Sequence, residues 1–479
     1  MALDRKRTNH KPLEQTNSPD WSALMPILPG DGPRTRELYA AIRRLIEAGL
    51  APSGAKLPTT RDLARRFGLS RAAAVAAFEL LVAEGFAEAR IGAGTFVARA
   101  VPRLPAAVAA DPPEHGPTAP LPCTLGVAMG DARTLRIFRG LLSRHLARPG
   151  PEHFGYGDPR GGLALRRAIA AYLRSARGVR CDPSRIVITS GTQQGLDLVA
   201  RAALGPDDAV WIEDPCYPMA RAALANAGGR LVGVPVDAEG LDPGLGEALC
   251  PGARAVYVTP SHQFPLGVTM TMRRRLALID WARRAGAWII EDDYDSEFRY
   301  AGPPLTALQG ADDAGRVAYL GTFSKVLFPG LRVGYAVLPE PLLEAVLALR
   351  ALTDRQPPTL VEAALADLLD EGHFAAHLRR ARRRAEAGRD ALIAGLREHA
   401  GAGLAATAPE QGLHLVAALP PRLPDRPLAA AAKAAGVGAR ALSPMFVDAP
   451  ARQGLVLGFS GFSSEALRAA AAKLGALLR

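Results

Sequence analysis

The apolar positions near the N-terminus recur with the period of amphipathic helices. Residues 38–46 read LYAAIRRLI, which predicts a first helix that Gly49 ends. A second predicted helix includes Leu63, Ala64 and Phe67, and either threonine of the preceding Thr-Thr pair can cap its start. Two helices joined by a short segment are therefore expected in this part of the chain.

A third helix and a hairpin complete this pattern. Gly68 suits the turn after the second helix because glycine accepts positive φ, and Ser70 can cap a helix over residues 71–84. Glycines within residues 92–97 (GAGTFV) predict a tight β-hairpin. The inner face of the third helix is predicted to carry Val75, Phe78, Leu81 and Val82. Helix, glycine turn, helix and hairpin together predict a winged helix-turn-helix.

Farther along, short apolar runs alternate with helical stretches. This alternation predicts an α/β domain with a mostly parallel sheet and helices on both faces. From about residue 341 the chain is rich in Ala, Leu and Arg and helical, and it then returns to short strands near residues 413–416 and 455–457, which predicts a smaller α+β subdomain. The apolar runs of the large sheet are residues 185–189, 209–212, 255–259, 287–290 and 317–320.

A chain of 479 residues is too long for one compact core, so a multi-domain protein is expected. We expect a disordered tail over residues 1–20 and the winged helix-turn-helix over residues 21–99. Residues 100–120 are rich in Pro and Ala and are predicted to form a linker. Residues 121–479 form the α/β domain, with the smaller subdomain over about residues 341–479.

Composition narrows the class of protein. Four widely spaced cysteines form no CxxC pair, so neither a metal site nor a disulfide framework is indicated. The polar N-terminus is unlike a secretory signal, and no apolar run is long enough to cross a bilayer. We therefore expect a soluble, cytoplasmic protein with no membrane partner. The net charge of +11 permits a polyanionic partner without proving one.

The helix-turn-helix is the part of the chain best suited to a nucleic acid. Residues 34–99 contain eleven Lys and Arg against six Asp and Glu. Arg71 begins the third helix, which can enter a major groove, and Arg61, at the start of the second, can pair with a phosphate. From spacing alone, a helical protein-interaction module with ordinary surface arginines stays open as the alternative.

A lysine-centred motif is the main chemical signal of the α/β domain. An amine such as that of Lys325 can form a Schiff base with an aldehyde cofactor. Thr322 and Ser324 supply hydroxyls beside it, and Arg332 offers a planar fork for a phosphate. A lone lysine near a serine is usually solvated, so the weight lies on the combination of residues.

Four further residues lie near strand ends and complement this lysine. Asp292 can keep a pyridine nitrogen protonated, and Tyr294 can hydrogen-bond a ring oxygen. Thr192 opens a helix whose N–H groups can bind an anion, and Tyr217 can stack on a flat ring. Taken singly, an acidic loop, a common Ser-Gly-Thr turn and a core tyrosine explain these positions equally well.

Residues 38–97 resemble the GntR family of bacterial regulators. LPTTRDLA, FGLSR, EGF and GAGTFV follow one another as they do in that family. The resemblance implies binding to double-stranded operator DNA through Arg61, Ser70 and Arg71, and through a wing headed by Gly94 with Thr95 beside it. Residues 72–74 are all alanine where the family often has Asn-Thr-Val, which removes one phosphate contact and alters the expected operator preference.

Residues 122–479 resemble the fold-type I aminotransferases, which use pyridoxal 5′-phosphate. The motifs, in the family's order, are YGDPRGG, TSGTQQG, EDPCYP, TPSHQFPLG, EDDYDSEFRY, GTFSK and PGLRVGY. The resemblance implies Lys325 as the Schiff-base lysine, Asp292 on the ring nitrogen and Tyr294 on the ring oxygen. It also implies that Tyr156 reaches the phosphate of a neighbouring subunit in a head-to-tail homodimer. Around the cofactor phosphate it implies Gly191, Thr192, Gln193, Thr322, Ser324 and Arg332.

Fusion of these two parts resembles the MocR subfamily of GntR regulators, in which the aminotransferase-like domain is an effector sensor. Two departures from ordinary aminotransferases bear on activity. Phe264 lies in the stretch where ordinary aminotransferases carry an Asn that binds the ring oxygen. Only His262 and Gln263 lie nearby to replace that Asn. Residues 454–459 lack the carboxylate-binding arginine, for which Arg440 or Arg452 could stand in.

We therefore expect a regulator that senses pyridoxal phosphate, alone or as an adduct with an amine or amino acid. Turnover is expected to be slow or absent, because residues 454–459 lack the arginine that would orient a substrate carboxylate. An active aminotransferase with an appended DNA-binding domain is the alternative, and a DNA-bound protein with an empty pocket is a third. The operator, the effector and the direction of regulation are not encoded in any motif.

Overall fold

The computed structural model describes residues 19, 21–24, 34–100 and 119–479, in two compact units that divide between residues 118 and 119. The tail predicted for residues 1–20, apart from residue 19, and residues 101–118 of the predicted linker lie outside the described residues. Among the helices of the described residues, none has the length and apolar character needed to cross a membrane.

The first unit is a small helical domain with a hairpin. Thr59 caps the third of its helices by accepting a hydrogen bond from the Asp62 N–H, and Gly68 ends it with φ 59°. Ser70 caps the fourth by accepting from the Ala73 N–H at 3.1 Å. The helices and strands are α1 (Trp21–Leu24), α2 (Arg34–Glu47), α3 (Thr60–Phe67), α4 (Arg71–Ala83), β1 (Ala87–Arg90) and β2 (Gly94–Val97).

The inner face of α4 differs from the predicted one. Phe78 and Leu81 are buried as expected, together with Ala74 and Ala77. Val75 and Val82 are 36% and 38% exposed, so their placement on the inner face was wrong. Helical periodicity allows several neighbouring stripes, and packing of α4 against both α2 and α3 selects the one centred on the two alanines.

The second unit consists of a large sheet, a small sheet and the helices around them. In chain order its elements are α5 (Ala132–Ala147), α6 (Leu163–Arg177), β3 (Ile186–Thr189), α7 (Thr192–Ala203), β4 (Ala209–Asp214), α8 (Pro218–Asn226), β5 (Arg230–Asp237), β6 (Gly240–Leu241), α9 (Pro243–Leu249), β7 (Ala255–Val258), α10 (Met272–Ala285), β8 (Trp288–Asp293), α11 (Leu308–Ala311), β9 (Val317–Thr322), β10 (Gly334–Val337), α12 (Glu340–Thr353), α13 (Thr359–Asp370), α14 (His373–His399), β11 (Ala405–Ala406), β12 (His414–Ala418), α15 (Asp425–Ala434), β13 (Arg440–Ala441), β14 (Gly454–Gly458) and α16 (Ser464–Leu477).

The large sheet has eight strands in the order β3-β10-β9-β8-β7-β4-β5-β6. The central strands β9, β8, β7, β4 and β5 run parallel to one another. By contrast, β10 is antiparallel to β3 and β9, and β6 is antiparallel to β5. Neighbouring residues of β8 face opposite sides, since Ile289 and Ile290 belong to different hydrophobic clusters. Burial of both faces explains the near-continuous apolar runs of the sequence.

The smaller sheet has the antiparallel order β11-β12-β14-β13, with α14 and α16 packed together beside it. Helices α12 and α13, which the sequence assigned to the smaller subdomain, instead pack on α7 and on α5 and α6 of the larger one. Helical composition alone does not reveal which layer a helix covers. The small sheet supplies one wall of the cavity described next.

Candidate functional site

A cavity of about 270 Å³ lies where the parallel strands of the large sheet end and the small sheet begins. Its position follows the rule that ligands bind at the carboxyl ends of strands in open α/β sheets. The lining residues are Leu125, Gly126, Thr192, Tyr217, Tyr257, Thr259, Phe264, Asp292, Tyr294, Lys325, Leu413, His414 and Arg440. Five of the predicted cofactor residues are thus brought to one cavity, although they are spread along the chain from Thr192 to Lys325.

The amine of Lys325 lies inside this cavity against the backbone of Gly126. A Cβ on Gly126 would come within 2.6 Å of Nζ, and the residue has φ 69°, so glycine is required there. Burial lowers the pKa of Lys325, although the nearby Asp295 and Asp292 oppose this shift. A lowered pKa increases the fraction of neutral amine, the form that attacks a carbonyl.

Asp292 lines the cavity with one carboxylate oxygen engaged and the other free. Oδ2 accepts a 2.7 Å hydrogen bond from the Tyr257 hydroxyl. Oδ1 is buried and has no hydrogen-bond partner among the described residues. Burial raises the pKa of Asp292 to about 7. A buried carboxylate oxygen without a donor fits a ligand that brings one, as a protonated pyridine nitrogen does.

Tyr294 reaches the cavity with its hydroxyl held by His262. The hydroxyl donates to the His262 carbonyl at 2.9 Å, and Nδ1 of His262 lies 3.0 Å from Oδ2 of Asp295. Gln263, which the sequence offered as a ring-binding substitute, donates its amide to the carbonyls of Pro215 and Phe264 and is therefore already engaged. The phenol of Tyr294 is thus positioned by a histidine–aspartate pair.

A second histidine, His414, lies near the pair formed by His262 and Asp295. The ligand atoms of His262, Asp295 and His414 all lie within 4.8 Å of one another. His262 is bonded to Asp295, and Nε2 of His414 lies 3.0 Å from the Pro265 carbonyl. These hydrogen bonds engage Nδ1 of His262 and Nε2 of His414, whereas Nε2 of His262 is buried with no partner among the described residues. We assign the histidine–aspartate pair to the support of Tyr294.

Next to Thr192 of the cavity lining, a helix N-terminus lies beside a guanidinium. Gly191, with φ 93°, precedes α7, and Thr192 is the first residue of that helix. A Cβ on Gly191 would lie 3.6 Å from Nη1 of Arg332, whose guanidinium also donates to the Ser190 carbonyl. N–H groups of a helix start next to an arginine form an anion site, as expected for a phosphate.

Gly191 and Arg332 lie outside the cavity lining, and so do the remaining predicted cofactor residues. Thr322 and Ser324 are buried, and the Ser324 N–H donates to Oγ1 of Thr322 at 3.1 Å. The side-chain amide of Gln193 donates to the Met219 carbonyl at 3.2 Å. Tyr156 is 81% exposed, with the Arg355 guanidinium over its ring. Within its own chain Tyr156 therefore takes no part in the cavity.

Sequence reasoning missed Tyr257, Gly126 and His414. Tyr257 carries a signal that was available, since a tyrosine inside a buried strand needs a partner for its hydroxyl. Gly126 and His414 carry none, because only the folded chain brings them to Lys325 and Phe264. Of the two arginines that could bind a substrate carboxylate, Arg440 lines the cavity. Arg452 does not line it and instead stacks over the Phe446 ring.

In the first unit, the predicted DNA-binding residues lie at helix starts and on the hairpin, and all are exposed except Thr95, which is half-buried. Arg61 lies in the first turn of α3 and Arg71 begins α4; both are exposed and pair with no described residue. Ser70 is exposed and uses its oxygen as a cap. Gly94 has φ 111° and begins β2, followed by Thr95. A free guanidinium at the start of each of two successive helices suits phosphate and base contacts.

Helix-turn-helix, wing and an aminotransferase-like cavity define a DNA-binding regulator joined to a cofactor-binding fold. The chain matches the family "Bacterial regulatory proteins, gntR family" over residues 34–97 and "Aminotransferase class I and II" over residues 140–443. The chain belongs to the MocR-type GntR transcription regulators, with an N-terminal DNA-binding domain and a fold-type I aminotransferase domain.

Individual relatives agree with this assignment. The chain is 37% identical over 456 residues to the probable rhizopine catabolism regulatory protein MocR of Rhizobium meliloti, covering 91% of this chain and 92% of that protein. It is 35% identical over 351 residues to the pyridoxine biosynthesis regulator PdxR of Corynebacterium glutamicum, covering 72% and 75% respectively. An archaeal alanine:glyoxylate aminotransferase structure superposes with a TM-score of 0.70 at 28% identity, covering 75% of this chain and 91% of that one.

Proposed function

We propose that this regulator binds pyridoxal 5′-phosphate in the cavity around Lys325 and uses it to sense an amine or amino acid. The observation that carries the proposal is the free, buried Oδ1 of Asp292 in the same cavity as the Lys325 amine. One site thus offers an acceptor for a protonated ring nitrogen and an amine for an aldehyde. A purely structural domain would gain nothing from either group, since each costs burial free energy.

Each residue of the cavity has a role in holding this cofactor. Lys325 would bind the aldehyde, Asp292 the ring nitrogen and Tyr294 the ring oxygen, with Tyr217 against the ring face. When bound, pyridoxal phosphate supplies an electrophilic carbon that captures amines and a ring that withdraws electrons. Around the phosphate we propose Gly191, Thr192, Gln193, Thr322, Ser324 and Arg332.

The DNA half of the proposal follows from the first unit. Arg61, Ser70 and Arg71 would contact operator DNA from the starts of α3 and α4, and Gly94 and Thr95 from the wing. The ligand regulates only if it binds two states of the protein differently. A tenfold change in operator affinity needs about 1.4 kcal/mol of such differential binding.

We also propose that the working form is a head-to-tail homodimer. Tyr156 is exposed and does not line the cavity of its own chain. Its motif, YGDPRGG, carries the phosphate-binding tyrosine in the aminotransferases that the chain resembles. A tyrosine that completes the phosphate site of a second copy would explain both facts. We also propose the domain boundaries predicted from the sequence, in which residues 21–99 bind DNA and residues 121–479 bind the cofactor.

Titration of the full-length protein with pyridoxal phosphate tests the cofactor half. Binding to Lys325 should produce a visible absorbance band, and the K325A variant should lack it. K433A, which removes an exposed lysine of α15, is the matched control and should keep the band. A band that persists in K325A would refute the proposed attachment.

The regulatory half is tested by fluorescence anisotropy with DNA from upstream of the protein's own gene. Affinity should change when pyridoxal phosphate is added to the wild type and should stay constant in K325A. If the DNA affinity of the wild type does not change with pyridoxal phosphate, the protein binds DNA but this cofactor does not regulate it.

A working aminotransferase with an appended DNA-binding domain is the second candidate. The intact Lys325, Asp292 and Tyr294 and the guanidinium of Arg440 in one cavity favour it. Release of a keto acid from an amino acid in a single turnover would support this candidate. Spectral change without keto acid release would support the sensor.

A further inference from the structure

The first two turns of α4 expose apolar side chains after a single charged residue. Arg71 and Ala72 are exposed, and Val75 is 36% exposed. Ala73 and Ala76, on the same two turns, are half-buried. The accessible side chains of this part of the helix therefore offer one guanidinium and otherwise only hydrocarbon.

Few polar groups are available to this surface. The sequence of α4, RAAAVAAFELLVA, contains two polar residues, Arg71 and Glu79. Glu79 lies roughly 12 Å from Arg71 along the helix axis, beyond the first two turns. The oxygen of Ser70, which precedes the helix, accepts the capping hydrogen bond from the Ala73 N–H at 3.1 Å. Within these two turns, side-chain hydrogen bonds to base edges are thus limited to Arg71.

Positive charge lies beside this apolar surface. Arg61 and Arg71 begin successive helices, are exposed and pair with no described residue. Arg65, one turn along α3 from Arg61, is exposed as well. Cationic side chains favour a polyanion as the partner. DNA, and not an apolar protein surface, is therefore the occupant that the charges next to α4 favour.

The major-groove edges of the base pairs carry one apolar group that matches such a helix. Each edge presents hydrogen-bond donors and acceptors, and thymine adds its 5-methyl group. A hydrocarbon side chain pressed onto a donor or acceptor would remove water without replacing its hydrogen bond, which is costly. Contact with a methyl group instead removes apolar surface from water on both sides. Alanine and valine side chains in the groove therefore favour thymine at the bases that they face.

We propose that Ala72 and Val75 contact the 5-methyl groups of thymines in the major groove of the operator. This inference rests on the proposed docking of α4 onto operator DNA and deepens it by naming the base that the helix reads. Val75 lies roughly 6 Å from Arg71 along the helix axis, which corresponds to about two base pairs. The thymines should therefore lie within about two base pairs of the Arg71 contact.

DNA that contains uracil tests the proposal, because uracil pairs as thymine does but lacks the 5-methyl group. Fluorescence anisotropy compares binding of the full-length protein to two versions of the DNA from upstream of its own gene, one with thymine and one with uracil throughout. The concentration of pyridoxal phosphate is held constant. The wild type should bind the uracil DNA more weakly, by about fourfold for each methyl group that it buries.

The V75A variant shortens the side chain that makes the proposed contact. Its affinity for thymine DNA should fall, and its preference for thymine over uracil DNA should shrink by about two- to fourfold. The fold should be retained, because alanine is a strong helix former and Val75 is partly exposed. The slope of log affinity against log salt should stay as in the wild type, because a methyl contact releases no counterions.

V82A is the matched control. Val82 is 38% exposed and lies on the same helix two turns farther from its start, whereas recognition helices contact bases with their N-terminal residues. The variant loses the same two methyl groups as V75A. It should keep the wild-type preference for thymine DNA.

The outcomes separate this inference from the function on which it rests. Absence of wild-type binding to the thymine DNA refutes operator binding and with it the proposed function. Equal wild-type affinity for thymine and uracil DNA overturns only the thymine contact. A uracil effect of the same size in the wild type and V75A would assign the methyl groups to DNA shape or to another element, and it also overturns the inference. So does a changed oligomeric state of V75A with unchanged DNA affinity, which would assign the surface to a contact between copies of the chain.

Discussion

The hydroxyl of Tyr257 donates a 2.7 Å hydrogen bond to Oδ2 of Asp292, and both side chains are buried. They lie on neighbouring parallel strands, β7 and β8, and are 35 residues apart in the chain. The bond holds the carboxylate so that its second oxygen stays free in the cavity. We therefore treat Tyr257 as a positioning residue for Asp292.

Replacement of this tyrosine should weaken cofactor binding. In Y257F the buried carboxylate loses the one hydrogen-bond donor that it has among the described residues. This loss costs about 1.5–3 kcal/mol for a bond to a charged group, or about a tenfold or greater loss of pyridoxal phosphate affinity. Absorbance titration gives the affinity. Y172F removes a similar hydrogen bond, from Tyr172 to Glu297 outside the cavity, and should leave the affinity unchanged. Equal losses in both variants would indicate a general packing effect.

Asp292 should destabilise the cofactor-free protein above neutral pH. Its pKa is raised from 3.8 to about 7 by burial, so the folded state disfavours the carboxylate. Between pH 4 and pH 7, approximately, the folded state binds more protons than the unfolded state. The free energy of unfolding therefore falls as the pH rises through this range. D292N should therefore gain little at pH 4 and about 1–4 kcal/mol at pH 8.

Urea unfolding followed by the fluorescence of Trp211, Trp281 and Trp288 measures this difference in the second unit. D390N removes an exposed carboxylate of α14 and should change stability by less than about 0.5 kcal/mol at both pH values. A gain in D292N that is equal at pH 4 and pH 8 would contradict the assigned pKa shift.

Mixed dimers test the proposed contribution of Tyr156 to a second copy. K325A lacks the amine and Y156A lacks the tyrosine, so each homodimer should bind pyridoxal phosphate poorly. A co-expressed mixed dimer contains one site with both residues intact, and it should recover about half of the wild-type visible absorbance. A mixed dimer no better than the average of the two homodimers would place Tyr156 outside the neighbouring site.

Arg61 should contribute to the salt dependence of DNA binding. Each phosphate contact releases counterions, so in R61A the slope of log affinity against log salt should fall by about one. Anisotropy titrations from low to physiological salt measure it. R43Q is the control, because Arg43 already pairs with Glu47 at 2.8 Å. An unchanged slope in R61A would exclude the phosphate contact.

Ser70 caps α4, and different substitutions can separate this cap from the DNA contact that we propose for it. S70A removes the cap of α4 and should lower the free energy of unfolding of the first unit by about 1 kcal/mol. S70D keeps a capping oxygen and should retain stability, while its negative charge weakens DNA binding. Thermal unfolding and anisotropy report the two effects. Tight DNA binding by S70D would place Ser70 away from the phosphates.

The local features of this protein could be predicted from its sequence. The caps at Thr59 and Ser70, the turn at Gly68 and the apolar strands depend on neighbouring residues, so short-range patterns reveal them. The motif around Lys325 and Asp292 at the end of β8 were likewise predicted as parts of one site, because the carboxyl ends of parallel strands lie at the same edge of a sheet.

Only the tertiary structure decided which side chains meet. Tyr257 faces Asp292, Gly126 abuts Lys325, and Arg440 emerges beside β14 because sheet order and register bring distant segments together. Exposure of Val75 and Val82 had the same cause, since the partners of a helix select its buried face. A sequence pattern records the period of an element, whereas the contacts between elements depend on packing that no short segment encodes.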